Sequence, residues 1–416
     1  MNDDRSPADP TPPSRRRVLT GLAALVAATG LPVPFAARFP PGMIPVALAD
    51  EPRFPGKSDA LIVHNDRPIL LETPISGLDA PITATADFFV RNNGKVPEAA
   101  LKQDASGWTL TVDGEVREEL QLSLDDLKQR FEHHRYDLVL ECGGNGRAGF
   151  RPGASGVPWR MGAVGCARWE GVRLADVLAA AGVKAGAVYV AYEGMDAHLD
   201  GSSKLPISRG LPLAKAMDPH TLLAWSMNGD PLPPLHGFPL RIVASGYPAS
   251  ASGKWLKRLW VRDVVHDGPK MTGKSYRVPR HPVAPGAEVP DDDMVIIEQM
   301  PVKSVITRPG TGSRVKLNQA LAVRGQAWSG EGTVERVDVS LDFGATWERA
   351  TLKPAPNPFA WQRWEASLRF PTPGYYEVWA RATDPSGRAQ PMVVGPWNPK
   401  GYLNNAMHRV AVEVVA

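Results

Sequence analysis

The sequence predicts a protein of mixed α- and β-structure that ends in a β-sandwich. Its 416 residues suggest roughly two or three domains. Glycine and proline are abundant, with 39 and 41 residues, which favours loops and β-structure over helical bundles. Short alternating segments separated by turn sequences occupy the last 120 or so residues, at 321–325, 337–342 and 376–379, and this pattern is typical of a β-sandwich.

Strands and short helices are both predicted before the sandwich. Residues 108–114 alternate and end in an Asp-Gly turn, which predicts a strand, and residues 136–140 predict a buried strand. Residues 122–127 predict a short helix with Ser123 as its N-cap. Residues 174–181 predict an amphipathic helix that ends at Gly182.

The first 49 residues have the pattern of an export signal. A twin-arginine run at 14–19 precedes a modestly apolar run at 19–31, and small residues at 47–49 predict cleavage before Asp50. We therefore expect a periplasmic protein that is exported folded and loses its signal. The apolar run is too short and too interrupted by glycine and proline for a stable membrane anchor. A disordered basic tail is the alternative.

The charge balance excludes one class of partner. Residues 1–49 contain five Arg and three Asp, so removing them from a chain of net charge +3 leaves about +1. Nothing in that balance indicates a nucleic-acid partner. Any anionic ligand must therefore be attracted by a local cluster of basic residues.

One segment, residues 140–147, carries the strongest chemical signal. Cys142, one of only two cysteines in the chain, follows the predicted buried strand. Gly143 and Gly144 can adopt positive φ and let the backbone approach a ligand, and Arg147 adds a fixed positive charge. A cysteine in this setting is expected to expose a reactive thiolate, as a nucleophile or a soft-metal ligand does.

The run Cys-Gly-Gly-Asn-Gly-Arg at 142–147 resembles the cysteine motif of the sulfite oxidase family of molybdopterin enzymes, in which that cysteine binds molybdenum. Further segments resemble the family in order over about residues 60–416. The resemblance implies an α+β fold, with a molybdopterin domain over residues 50–295 and an immunoglobulin-like dimerisation domain over 296–416. It also implies a Mo-molybdopterin cofactor and a homodimer.

The resemblance also implies which residues hold the cofactor. Residues 87–94 form an apolar strand and turn similar to a family stretch in which a histidine usually stands at Asn93. Residues 236–241 resemble a run whose histidine and arginine bind the cofactor phosphate. The loop at 246–256 resembles a pterin-binding loop, with Ala251 and Ser252 in place of its usual arginine and histidine. The cofactor-binding residues implied are Phe89, Val90, Arg91, Asn92, Asn93, Cys142, Asp218, His236, Arg241, Ser252, Gly253 and Lys254, with Cys142 as the metal ligand.

A second set of residues is implied to face the substrate. It consists of Arg91, Arg147, Trp159, Tyr276 and Lys400, and Lys400 stands where many relatives have arginine. Each has a structural alternative, such as a surface arginine, a core tryptophan or a packing tyrosine.

Cys166 requires a separate interpretation. In an oxidising compartment two cysteines often pair, so a Cys142–Cys166 disulfide is one alternative. Because Cys166 matches no ligand of the family, we expect it to be a small buried residue.

The function implied is oxidation of sulfite to sulfate by oxo transfer at the Cys-ligated molybdenum centre. The chain has no Cys-x-x-Cys-His motif, and we expect no b-type haem domain before residue 50, so electrons are expected to pass to a separate c-type cytochrome. Neither a dinucleotide fingerprint nor zinc-site spacing is present. The alternatives are a sulfane-sulfur dehydrogenase subunit of a thiosulfate-oxidising complex and a non-catalytic binding protein with a dead cofactor site. Reductases also occur in related folds, and we expect those usually to lack the C-terminal sandwich.

Overall fold

Residues 54–416 are described by the structure, a computed structural model, and they combine a first domain of mixed sheets and short helices with a C-terminal sandwich. The predicted α+β class with a terminal β-sandwich is confirmed. The twin-arginine run, the apolar run and the predicted cleavage position before Asp50 lie outside the described residues. No helix among the described residues is long and apolar enough to cross a membrane.

The first domain is built on thirteen strands: β1 (Ile62–Asp66), β2 (Ile69–Glu72), β3 (Val90–Arg91), β4 (Leu110–Gly114), β5 (Leu120–Leu122), β6 (His134–Glu141), β7 (Val164–Arg173), β8 (Tyr189–Gly194), β9 (Gly210–Pro212), β10 (Leu222–Met227), β11 (Asp230–Pro231), β12 (Arg241–Val243) and β13 (Leu256–Arg262). Its helices are α1 (Glu98–Leu101), α2 (Leu124–Arg130), α3 (Leu174–Ala181) and α4 (Leu213–Ala216). Single 3-10 turns occur at Ile75–Leu78, Arg147–Gly149, Pro234–His236 and Ala249–Ala251.

These strands form three sheets. Their orders are β1-β2-β3, β11-β10-β7-β6 with β12 also paired to β10, and β5-β4-β13-β8-β9. Most pairs are antiparallel, and β13 runs parallel to β4. The ends of β6, β8 and β12 lead into the segments that build the functional site described below.

Local sequence signals explain the two longest helices. Ser123 and Asp126 form a reciprocal capping box at the start of α2, which satisfies backbone donors that the helix leaves free. Gly182 ends α3 with φ of 68°, a conformation that glycine adopts without a steric penalty. Both helix predictions are therefore confirmed, as is the buried strand, whose last four residues in β6 are all buried.

The sandwich contains nine strands: β16 (Lys303–Arg308), β17 (Ser313–Lys316), β18 (Leu321–Trp328), β19 (Arg336–Ser340), β20 (Glu348–Arg349), β21 (Thr351–Leu352), β22 (Gln362–Leu368), β23 (Gly374–Thr383) and β24 (His408–Val415). Its two sheets have the orders β16-β18-β22-β21 and β17-β24-β23-β19-β20. A connecting segment pairs β14 (Arg277–Pro279) with β15 (Met294–Ile296) and includes a 3-10 turn at Asp291–Asp293.

An apolar cluster joins the two domains. Val139 and Cys166 of the first domain pack in it with Val305, Trp328 and Trp361 of the sandwich. Both cysteines of the chain are free, so the disulfide alternative is excluded. Cys166 is buried as expected, and this burial raises the pKa of its thiol to about 12.

His408 makes the sandwich sensitive to acid. Its Nδ1 accepts a hydrogen bond from the Ile306 N–H at 3.1 Å, and burial lowers the pKa of the imidazole from 6.5 to about 4. Between these pH values the unfolded chain binds a proton that the folded chain does not, so stability falls as the pH falls through this window. In this window we expect His408 to lower the free energy of unfolding by up to about 1.4 kcal/mol for each unit by which the pH falls. Urea unfolding at pH 7 and pH 5 should show a smaller loss of unfolding free energy in His408→Gln than in the parent. Equal losses in the two proteins would contradict the assignment of this acid sensitivity to His408.

Candidate active site

The cysteine loop is fixed at the end of β6 by its own backbone and by neighbouring strands. Cys142 N–H donates to the Ala163 carbonyl at 2.9 Å, and the Asn145 N–H donates to the Cys142 carbonyl at 2.8 Å. The Asn145 side chain accepts from the Ala163 N–H and donates to Glu141. These contacts hold the Cys142 thiol, which is 7% exposed, at the wall of a cleft.

The glycines of this loop have a different role from the expected one. Positive φ occurs at Gly146, with a value of 91°, and at neither Gly143 nor Gly144. A Cβ at Gly144 would lie 2.1 Å from the Arg147 guanidinium, so any side chain at this position would have to displace the arginine that packs against the backbone. The prediction of positive φ at the first two glycines was therefore wrong.

The cleft beside Cys142 has about 710 Å³ of empty space, part of which is open to solvent. It brings together ten of the residues predicted from the sequence: Phe89, Arg91, Asn93, Cys142, His236, Arg241, Ser252, Gly253, Lys254 and Tyr276. They come from segments at β3, after β6, at the turn Pro234–His236, at β12, in the loop before β13 and just before β14 (Arg277–Pro279), so residues far apart in sequence meet in one site. A Cβ at Gly253 would lie 2.4 Å from the Tyr192 ring, which explains why this wall position is glycine.

A basic cluster at the cleft consists of Lys57, His236, Arg241 and Lys254. The last three line the cleft, and Lys57 joins the cluster through His236. Lys57 Nζ lies 2.7 Å from His236 Nε2. Arg241 donates to the carbonyls of His236 and Ser252, and Lys254 donates to the Leu235 carbonyl and to the Asn92 side chain. The partners are carbonyl oxygens, an amide oxygen and other members of the cluster, and no carboxylate is among them.

Burial without a hydrogen-bonded carboxylate alters the protonation of this basic cluster, although Asp87 partly offsets the shift at Lys57 and Asp196 that at Lys254. It lowers the pKa of Lys57 to about 7 and that of Arg241 to about 9. For His236 and Lys254, burial and then the neighbouring cations lower the pKa values far below their ordinary range. A ligand carrying two negative charges, such as a phosphate monoester, would supply the missing counter-charge.

Arg91 lines the same cleft. Burial by itself would lower the pKa of this guanidinium, but Tyr276, Cys142 and Tyr402 interact with it electrostatically and raise the pKa above its ordinary value. Tyr276 stacks on Tyr402 with ring centroids 5.6 Å apart. Tyr276 and Trp255 both line the cleft and both have positive φ, of 54° and 51°, a strained conformation for aromatic residues that is typical of functional sites.

Several predicted residues lie outside the cleft wall. Val90 is buried in a separate apolar cluster, and Asn92 stands behind the wall as the partner of Lys254. Trp159 is fully buried with its ring edge-on to His64, 4.8 Å away. A direct role for Trp159 with substrate stays a prediction.

The side chain of Arg147 contacts the backbone of Lys400. The Arg147 guanidinium donates to the carbonyls of Lys400 at 2.6 Å and Val157 at 2.7 Å and lies over the Tyr402 ring. Neither Arg147 nor Lys400 lines the cleft, because these contacts attach the cysteine loop to the C-terminal segment. Their predicted contacts with substrate likewise stay predictions.

The acidic residue of the cleft is not the predicted one. The Asp218 carboxylate accepts from Lys215 Nζ at 2.9 Å and does not line the cleft. Asp196 does line it, and burial raises the pKa of this carboxyl to about 6. Sequence reasoning missed Asp196, although it follows the buried strand β8 closely, as Cys142 follows β6. Lys57 was also missed, because no local pattern marks a lysine that meets His236 across 179 residues.

The donors in the cleft fit a molybdopterin cofactor. No group of three or more His, Cys, Asp or Glu side chains that could hold a metal ion occurs in residues 54–416, so Cys142 is the one candidate soft ligand in the cleft and further ligands would come from the cofactor. The basic cluster fits the phosphate, and Asp196 could accept from pterin N–H groups. The site therefore defines an enzyme that binds a soft metal through an anionic organic cofactor.

Comparison with known proteins identifies the family. Residues 93–270 match the model of the oxidoreductase molybdopterin-binding domain, and residues 294–415 match the Mo-co oxidoreductase dimerisation domain. Sulfite oxidase of Rattus norvegicus is 36% identical over 378 residues, which are 87% of this chain and 67% of the rat protein. Sulfite oxidase of Gallus gallus is 36% identical over 375 residues, covering 86% of this chain and 78% of the chicken protein. The chain belongs to the sulfite oxidase family of molybdopterin enzymes; it is a molybdenum oxidoreductase with Mo-molybdopterin as its cofactor.

A solved structure and a reductase extend this comparison. The sulfane dehydrogenase SoxCD from Paracoccus pantotrophus has a TM-score of 0.69 and 26% identity and covers 93% of this chain and 100% of the matched chain. A nitrate reductase of Hordeum vulgare is 33% identical over 80% of this chain and 39% of its own length. An alignment of that length extends into the sandwich, so the expectation that reductases usually lack this domain fails for this relative.

Proposed function

We propose that this chain oxidises sulfite to sulfate in the periplasm and passes the electrons singly to a separate c-type cytochrome. The observation that carries the proposal is the cleft in which Cys142 and Arg91 lie together with a basic cluster suited to a cofactor phosphate. The similarity to sulfite oxidases over 86–87% of the chain supports sulfite as the substrate. The dimerisation-domain match supports a homodimer.

The residues of the chain have distinct tasks in this reaction. Cys142 Sγ ligates the molybdenum, while His236, Arg241 and Lys254 bind the phosphate of the cofactor. When bound, the cofactor would supply oxygen-atom transfer and accept the two electrons that sulfite releases, with water as the net source of the oxygen atom and two protons released. The Arg91 guanidinium binds the sulfite anion, and the Tyr276 hydroxyl donates to one of its oxygens. Phe88, Phe89 and Trp255 line the cleft with apolar surface that excludes bulk water.

Arg91 provides a specific prediction for this reaction. We expect Arg91→Gln to raise KM for sulfite by about 10- to 100-fold, because it removes charge-assisted hydrogen bonds to the anion. Arg91→Lys should recover part of the loss, since lysine keeps the charge but not the planar fork of donors. Kinetics at matched molybdenum content measure the effect. The control is Arg168→Gln, an exposed arginine paired with Asp137, which should leave KM unchanged. An unchanged KM in Arg91→Gln would remove this residue from the substrate site.

A second candidate is a dehydrogenase for sulfane sulfur carried on a protein, and the similarity to SoxCD over the whole matched chain favours it. Both candidates oxidise sulfur at the same kind of centre. They differ in whether the enzyme accepts a free small anion or needs a carrier protein.

A substrate panel distinguishes these candidates. Protein with confirmed molybdenum is given free sulfite, a protein persulfide, or nitrate with a chemical reductant, and turnover of each is compared. We expect turnover of sulfite to exceed turnover of the other substrates by about 100-fold or more. Turnover only with the protein persulfide would favour the second candidate, and turnover only with nitrate would favour a reductase.

A further inference from the structure

Arg209 is a buried guanidinium without a counter-ion. It lies immediately before β9 and is 2% exposed. Its Nη1 donates to Ser250 Oγ at 2.5 Å, and its Nε has no hydrogen-bond partner. Among residues 54–416, no carboxylate forms an ion pair with it. A buried cation that lacks an acidic partner is costly to the fold unless an anion lies close to it.

The surroundings of Arg209 place its charge directly behind the cleft wall. Its guanidinium carbon lies 4.6 Å from the centroid of the Tyr276 ring, in a cation–π arrangement. Tyr276 and Ser250 both line the cleft, so the two groups that Arg209 contacts through its side chain face the ligand space. Tyr276 also interacts electrostatically with Arg91. Arg209 and Arg91 therefore both interact with Tyr276 at the cleft.

We propose that Arg209 is a positioning residue for the anionic substrate. It holds the Tyr276 ring and the Ser250 hydroxyl at the wall and adds positive potential that draws a small oxyanion toward Arg91. The cofactor phosphate is a less suitable partner, because the basic cluster already offers it the buried cations Arg241 and Lys254. The identity of the oxyanion as sulfite rests on the proposed function, whereas the oxyanion site itself does not.

The test compares Arg209→Met and Arg209→Lys in the molybdenum-loaded, full-length mature enzyme. Methionine keeps much of the apolar length of the side chain and removes the charge. We expect Arg209→Met to raise KM for sulfite about tenfold while kcat changes less than about threefold, and Arg209→Lys to recover part of the difference. Added salt should raise KM more steeply in the parent than in Arg209→Met, because salt screens the charge that the variant lacks.

Arg381→Met is the matched control. Arg381 also lies over an aromatic ring, 3.9 Å from Trp347, and its Nε also lacks a hydrogen-bond partner, but it belongs to β23 of the sandwich. This variant shows what removal of a stacked guanidinium outside the cleft does to the protein, and it should leave KM for sulfite unchanged. If Arg209→Met does not fold, Arg209→Lys is measured in its place. An unchanged KM for sulfite and an unchanged salt dependence in Arg209→Lys would then overturn the proposal.

Direct oxyanion binding separates this proposal from the proposed function. Sulfate is titrated into the parent and Arg209→Met, and binding is followed by tryptophan fluorescence. Weaker sulfate binding in the variant supports the oxyanion site even if the parent does not oxidise sulfite, in which case only the proposed function fails. Unchanged sulfate affinity and KM would overturn the proposal. Unchanged sulfate affinity with reduced molybdenum content would also overturn it, since Arg209 would then serve the cofactor.

Discussion

Cys142→Ser is expected to lower sulfite turnover by more than about a thousandfold while the fold is retained. Loss of an outer-shell partner of a metal ligand already costs about 10- to 100-fold, and Cys142 is proposed as the ligand itself. A serine hydroxyl is a poor donor for a soft metal. The local fold should persist, because the Cys142 backbone contacts to Ala163 and Asn145 do not involve the sulfur.

Two measurements test the expected loss of turnover in Cys142→Ser. Turnover is determined per chain, and molybdenum is determined on the same sample, so loss of the metal and loss of rate are separated. The control is Cys166→Ser, which removes the other cysteine. Cys166 is buried in the domain junction, so its replacement should cost about 1–3 kcal/mol of stability and leave turnover per folded molecule unchanged. Substantial sulfite turnover in Cys142→Ser would contradict the assignment of Cys142 as the metal ligand.

Lys303→Met is expected to destabilise the protein by about 3–5 kcal/mol, because it leaves the buried Glu141 carboxylate without its cation. Lys303 Nζ lies 2.5 Å from Glu141 Oε1, and neither side chain is more than 2% exposed. Glu141 also accepts from Asn145 at 2.9 Å and from Trp328 Nε1 at 2.8 Å. This network joins β16 of the sandwich to the residue directly before Cys142.

Urea unfolding measures the Lys303 effect. The double variant Lys303→Met/Glu141→Gln should recover part of the loss, since a neutral amide oxygen still accepts a hydrogen bond but carries no unpaired charge. The matched control is Arg314→Met, which breaks an exposed ion pair with Glu413 at 2.8 Å and should cost less than about 1 kcal/mol. A cost below about 1 kcal/mol for Lys303→Met would show that the network does not hold the domains together.

The sequence predicted those features of the fold that depend on residues close together in the chain. The capping residues of α2, the glycine that ends α3 and the buried strand before Cys142 all act within a few residues, so pattern reasoning identified them. The turn at Gly144 was misread because its cause is the approach of the Arg147 guanidinium, which only the folded loop reveals.

The candidate site was predicted where it consists of contiguous motifs and missed where it depends on tertiary contacts. The cleft joins Cys142, His236 and Lys254, all of which stand in motif segments. Lys57 and Arg209 reach the site from segments without a recognised motif. The burial of both cations depends on the completed fold and has no signature in the linear sequence.

The most direct test of the central claim is the stoichiometry of sulfite oxidation by protein with a measured molybdenum content. Sulfate formed and cytochrome c reduced are quantified in the same reaction. The account predicts about one molybdenum per chain and about two cytochromes reduced per sulfate formed, because sulfite releases two electrons and the acceptor takes them singly. Molybdenum-loaded protein that forms no sulfate from free sulfite would contradict the account.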